Sequence, residues 1–214
     1  MGQYWKPVCL DMHQGIDMHY YNEGLKLMEH SYKHTPVMRV VCRLLMEGQP
    51  WHKKHFAWVG DYADDSTMML TEHCDACLEK ETNYDCPDYL RKVVGECNGT
   101  YRSFYDCIDI KPKVPTKKQL PDRYYLVNHT KRCFVDMDKC PIQETYSTEG
   151  KDFKLIIHPL SLLTAVSNGL GGGDYTGSNM DMVGHWAGDV ISVSLEKPAE
   201  DSFEEIIPNF LEER

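Results

Sequence analysis

The chain is 214 residues long, 42% hydrophobic and 26% charged, with a formal net charge of −10. A chain of that size buries one good core or two small ones. Its acidity and scattered lysines argue against a general nucleic-acid binder, and no segment reaches the roughly 18 apolar residues of a membrane helix.

The opening "MGQYWKPVCL" has no basic region followed by an apolar run, so neither export nor membrane insertion is expected. Lys6 stands where a myristoylation signal has Ser or Thr. The expected location is the cytoplasm or a virion. Nine cysteines in a reducing compartment read as free thiols or a metal site before they read as disulfides.

In chain order, "PVCLDMHQGIDM" (7–18) reads as a short hairpin. "TPVMRVVCRLLMEG" (35–48) follows, with Val37, Val40, Val41, Leu44 and Leu45 on one helical stripe. Thr35 suits the N-cap, Pro36 the first helical position, and Gly48 the stop. Trp51 then opens an apolar strand in "WHKKHFAWVGDYADD" (51–65). Residues 66–120 hold five of the nine cysteines, and "KPKVPTKKQLPD" (111–122) reads as an extended linker.

The same succession then returns. "LVNHTKRCFVDM" (126–137) aligns with the first hairpin at an offset of 119, pairing Val8 with Val127, Ile16 with Val135, Asp17 with Asp136 and Met18 with Met137. "HPLSLLTAVSNG" (158–169) repeats the helix, with Pro159 in the place of Pro36, Leu162, Leu163 and Val166 on a face, and Asn168 and Gly169 as the stop. "WAGDVISVSLE" (186–196) repeats the tryptophan and strand at an offset of 135. Counted from the prolines, the second copy gains 12 residues between helix and tryptophan, and they fall in "NGLGGGDYTGSNMDMVGHWAGD" (168–189), with seven glycines.

The fold class expected is therefore α+β: two degenerate hairpin, helix and strand units, residues 1–65 and 121–196, packed as one pseudo-symmetric domain. A cysteine-rich insert (66–120) and an acidic tail (197–214) complete it. The tail sequence "DSFEEIIPNFLEER" has apolar residues at helical intervals but Pro208 inside the run, so it is expected to dock extended, on the body or on a partner.

The motifs "MGQYW", "EGLKLME", "VGDYADD", "GLGGGD" and "GHWAGD" resemble those of a family of small uncharacterised proteins of bacteria, bacteriophages and large DNA viruses that open with Met-Gly-Gln-Tyr-Tyr. In that family each motif occurs once. Here Glu23–Glu29 and Gly60–Asp65 match in the first copy, Gly171–Asp174 and Gly184–Asp189 in the second. The resemblance covers about 130 residues and implies no activity.

Gly171, Gly172, Gly173 and Asp174 could present backbone N–H groups to a phosphate, but the loop follows a helix and precedes a strand, and it lacks the Lys-Ser/Thr of a P-loop. A turn is the simpler reading. Asp61, Asp174 and Asp189, with Asp64, Asp65 and Asp181, could hold Mg²⁺ or Ca²⁺ if they converge. Cys74, Cys77, Cys86 and Cys97 offer one Cys-x2-Cys pair and two single ligands for a possible zinc site, with Cys107 in reserve. No nucleophile motif is present. The function expected is a non-enzymatic binding or assembly protein with a protein partner or itself as partner, of the kind found as a viral or phage accessory or virion component. The alternative is a phosphate- or nucleotide-binding enzyme with a carboxylate metal site between the units.

Overall fold

The computed structural model describes residues 3–63, 105, 107–142, 144–148, 151–167, 169–170, 175, 177 and 180–210. In chain order these form β1 (Trp5–Cys9), β2 (Gln14–Gly15), a 3-10 turn (Met18–Tyr21), α1 (Leu27–His30), α2 (Pro36–Leu44), β3 (Lys54–Gly60) and β4 (Ile108–Asp109). Then come β5 (Tyr125–Asn128), β6 (Cys133–Asp136), β7 (Glu144–Thr148), β8 (Lys151–Leu155) and α3 (Pro159–Leu163). The chain ends with β9 (Ala165–Ser167), β10 (Gly169–Leu170), a second 3-10 turn (Met180–Met182), β11 (Val190–Ser194) and β12 (Glu204–Glu205).

Helices and one large mixed sheet share the fold, and sheet predominates. The strand order is β12-β6-β5-β11-β3-β1-β2-β4, with β9 parallel beside β3 and β10 beside β9, while β7 and β8 form a separate hairpin. The two middle strands meet antiparallel, His55 opposite Val190.

Pairings on the two sides of that junction follow one register. The first hairpin closes on Cys9 opposite Gln14, the second on Asn128 opposite Cys133, 119 residues later. Cys9 also faces Phe56 and Asn128 faces Ile191, a strand offset of 135. Single bonds agree: Leu10 N–H donates to His55 O and His129 N–H to Val190 O, both at 2.9 Å. His55 N–H donates to the Asp11 carboxylate, and Val190 N–H to Thr130 Oγ1. Even the turn conformation matches, since His13 and Arg132 take φ of 50° and 53°.

The helices end earlier than their sequence suggests. Val37, Val40, Val41, Leu44 and Leu45 are buried as expected, but α2 stops at Leu44, ahead of Gly48. Thr35 sits at the N-cap, yet its hydroxyl donates backward to His30 O and Tyr32 O and does not cap. The α3 helix stops at Leu163, and residues 165–167 are strand. The cause is tertiary. Trp58 N–H takes the carbonyl of Thr164, and Val193 N–H takes that of Leu45, so each helix end is captured by the central strand of the other half. Trp51 N–H and Trp186 N–H bond to Leu44 O and Leu163 O, which aligns the helices by their ends at 119, not by their prolines at 123. The extra length before Trp186 is thus 16 residues, and it includes β9 and β10.

One sheet face packs on the helices and holds the main core, with Phe56, Trp58, Leu126, Ile191 and Val193 beside Trp51 and Trp186, both fully buried. A fully buried large aromatic anchors such a core, and its truncation typically costs about 3–5 kcal/mol. Linker residues are pinned across this core: Arg39 donates to Pro115 O and Leu120 O, Tyr21 OH to Pro112 O, and Leu120 is buried. The tail docks extended on the body. Its Glu204–Glu205 pair runs parallel to β6, and Pro208 and Phe210 are buried.

Candidate functional site

The opposite, outer sheet face is finished differently in the two halves. Side chains alternate between faces along a strand, so Ala57 and Val59 of β3 and Val8 of β1 point outward together. With Leu10, Ala63, Val166 and Ala187 they make a buried apolar cluster, roofed by Cys107 and Tyr105. Counted by the offsets above, their counterparts are Ser192, Ser194, Val127, His129, Pro198, Glu47 and His52. All seven line one pocket of about 580 Å³, with Met46, Lys53, Val193, Leu195, Glu196 and Phe203.

Val127, Ser192 and Met46 are buried and form its floor. His129, in the turn after β5, holds Ser192 Oγ by its Nε2 at 2.7 Å, and Phe203 of the tail meets the imidazole edge-on at 5.8 Å. If Nε2 accepts from Ser192, Nδ1 carries the ring proton. In the other tautomer Nδ1 is the acceptor. Burial lowers the His129 pKa, and Lys53 and His52 lower it further, so the ring is neutral at neutral pH. His52 is fixed by an Nδ1 contact of 3.1 Å with Leu45 O. Lys53 follows with φ of 52°, at the place where the other half has Gly188 with φ of 79°. The site is therefore a neutral hydrogen-bonding floor between apolar walls, with Lys53, Glu47 and Glu196 exposed at its rim.

Of the carboxylates expected to converge, Asp189 is buried and held by Lys131 Nζ at 2.9 Å and Asn128 Nδ2 at 2.7 Å. Its carbonyl meets Phe56 N–H, whereas Asp61 lies past the far end of β3, where its carboxylate caps Tyr4 N–H. Five strand residues separate those points, roughly 17 Å at the usual rise. The two carboxylates are not brought together. For the same reason Gly60–Asp61 and the 184–189 turn do not form one site. Gly171, Gly172, Gly173 and Asp174, and the zinc candidates Cys74, Cys77, Cys86 and Cys97, lie outside the described residues. Cys107 is buried in the outer apolar cluster. Among the described residues no group of three or more His, Cys, Asp or Glu is arranged to hold a metal ion.

A second polar cluster lies in the core. His158 Nε2 contacts Tyr124 OH at 3.0 Å and Cys42 Sγ at 3.4 Å. Burial pushes the thiol up to about 12 and the imidazole down to about 3. Both are locked neutral, so the pair supports packing and not nucleophilic chemistry.

Sequence reasoning missed the pocket. The signal was present once the 119 and 135 offsets are carried residue by residue, because Leu10 aligns with His129 and Ala57 with Ser192. No family model, curated protein or solved structure matches the chain.

Proposed function

We propose that this protein is a non-enzymatic binding protein built by duplication of a hairpin, helix and strand unit, and that its ligand is a small molecule held in the outer-face pocket, to which both units contribute. One observation carries the reading: Leu10, Ala57, Val59, Val166 and Ala187 fill an apolar cluster on one side of the outer face, whereas the positions matching them by offset are His129, Ser192, Ser194, Glu47 and His52, around an open cavity. Random drift of a packed face would leave buried polar groups without partners, which costs about 1–3 kcal/mol each. Here Ser192 and His129 satisfy one another, and both line the cavity. A pocket of this volume, half apolar and with few fixed polar groups, suits a small organic ligand. The common register and the reciprocal capture of helix ends support the duplication, and the motif resemblance to the viral and bacterial family is compatible with two fused units.

The test is a small-molecule fragment screen read by methyl NMR at Met46 and Val127, with Val8 and Val166 of the filled face as controls. Ligands should move the first set and leave the second still. The double variant H129L/S192A, which writes the first half's residues into the second, should abolish the response while the protein stays folded. Hits scattered over the surface, or hits indifferent to that variant, would remove the pocket as the functional site.

A further inference from the structure

Resting on that reading, we infer that the ligand carries a single anionic group, carboxylate or phosphate, placed between Lys53 and the His129 imidazole, with its uncharged body against Val127, Pro198 and Phe203.

The argument is one of charge and position. Lys53 lines the pocket with no ion-pair partner among the described residues, on a turn whose other-half counterpart is Gly188. Lys131, in the turn after His129, is already committed to Asp189. A chain of net charge −10 thus gathers an uncommitted lysine and two histidines at one pocket, from turns about 77 residues apart in sequence. Only the tertiary fold brings them together, through Val190, which bonds to the 129–130 turn on one side and pairs with His55 on the other.

The groups facing His129 are Lys53 and His52 from the turn before β3, Ser192 from β11 and Phe203 from the tail. The charged members of that set repel a proton on the ring, and the same field attracts an anion. Glu47 and Glu196 occupy the rim without ion-pair partners among the described residues, and they would repel a second negative group. The ligand accordingly carries one anionic group and a neutral or hydrogen-bond-donating far end. An anion beside His129 stabilises the imidazolium, so its affinity rises as pH falls through the range in which the ring takes its proton.

Three probes of one shape decide the matter: benzoate, phenyl phosphate and benzyl alcohol, titrated at pH 7.5 and 6.0 with the full chain and followed at the Met46 methyl and the His129 ring. Benzoate or phenyl phosphate should bind at least tenfold more tightly than benzyl alcohol, and their ratio tells carboxylate from phosphate; benzoate, whose charge is the same at both pH values, should tighten several-fold at the lower pH. Lys53→Gly, which restores the residue of the other half, should weaken the anion about tenfold, a loss of about 1.4 kcal/mol. Equal binding of benzyl alcohol, indifference to Lys53→Gly, or weakening at pH 6.0 would overturn the anionic class while leaving the pocket in place. Silence at Met46 with all three probes would overturn both.

Discussion

His55 and Val190 face each other where β3 and β11 meet, a strand offset of 135 apart. That pairing joins the two sides of the central sheet. Met46 also pairs with Val193 and Ala165 with Trp58 across the same junction. Neither half closes its helix end without the other.

If the outer faces are equivalent, the apolar solution should work on both. H129L/S192A replaces both members of a hydrogen-bonded pair by the residues found at Leu10 and Ala57, a change that is nearly neutral or stabilising when no partner is orphaned. Urea unfolding should place the variant within about 1 kcal/mol of the parent. A loss above roughly 3 kcal/mol would show that the faces are not interchangeable.

His158 makes stability depend on pH. Its folded pKa lies near 3, against about 6.5 when unfolded, so below pH 6.5 the unfolded chain binds the extra proton. Stability from this group is complete above pH 6.5 and falls as pH drops toward 3, by about 2 kcal/mol at pH 5. Denaturant titrations at pH 7.5, 6 and 5 should show that slope in the parent, and His158→Gln should flatten it. An unchanged slope in the variant would assign the dependence to other groups.

Asp189 ties the second hairpin to the turn before β11. Asp189→Ala leaves the fully buried Asn128 amide without its acceptor and should cost about 2–3 kcal/mol. Lys131→Ala should cost less, about 1–2 kcal/mol, because its ammonium is a third exposed and water already screens part of the pair. The two variants compared by urea melts decide it, and equal small losses would make the contact incidental.

Burial raises the thiols of Cys9, Cys42 and Cys140 to about 12 and, with the Asp189 carboxylate adding to it, that of Cys133 to about 11. The thiolate is the reactive form. Iodoacetamide at pH 8 should leave these four cysteines unlabelled in the native protein and modify them in urea, as peptide mass mapping would show. Native labelling at Cys42 in particular would mean that the core opens around His158.

Much of the local plan was legible. The stripe from Val37 to Leu45 named the buried face of α2, and Trp51 and Trp186 announced the two central strands. Where reading failed, a long-range bond overrode a local one. "SLLTAVSNG" has helical spacing through Val166, yet Trp58 claims the carbonyl of Thr164 and turns the next three residues into strand. The acidic tail offered two docking modes of equal merit, and Phe134 and Cys133 chose between them by offering β6 as an unpaired edge. The glycine loop drew attention by composition, while the pocket residues, single histidines and serines in ordinary turns, did not.

By itself the sequence determined the succession of hairpin, helix, tryptophan and strand in each half, since periodicity, proline placement and turn residues act over a few neighbours. The tertiary structure alone decided the crosswise capture of the helix ends and the meeting of His52 and Lys53 with His129 and Ser192. Those contacts span 60 or more residues, and their pairing is set by the register of β3 against β11, where a one-residue slip would turn every side chain to the other face.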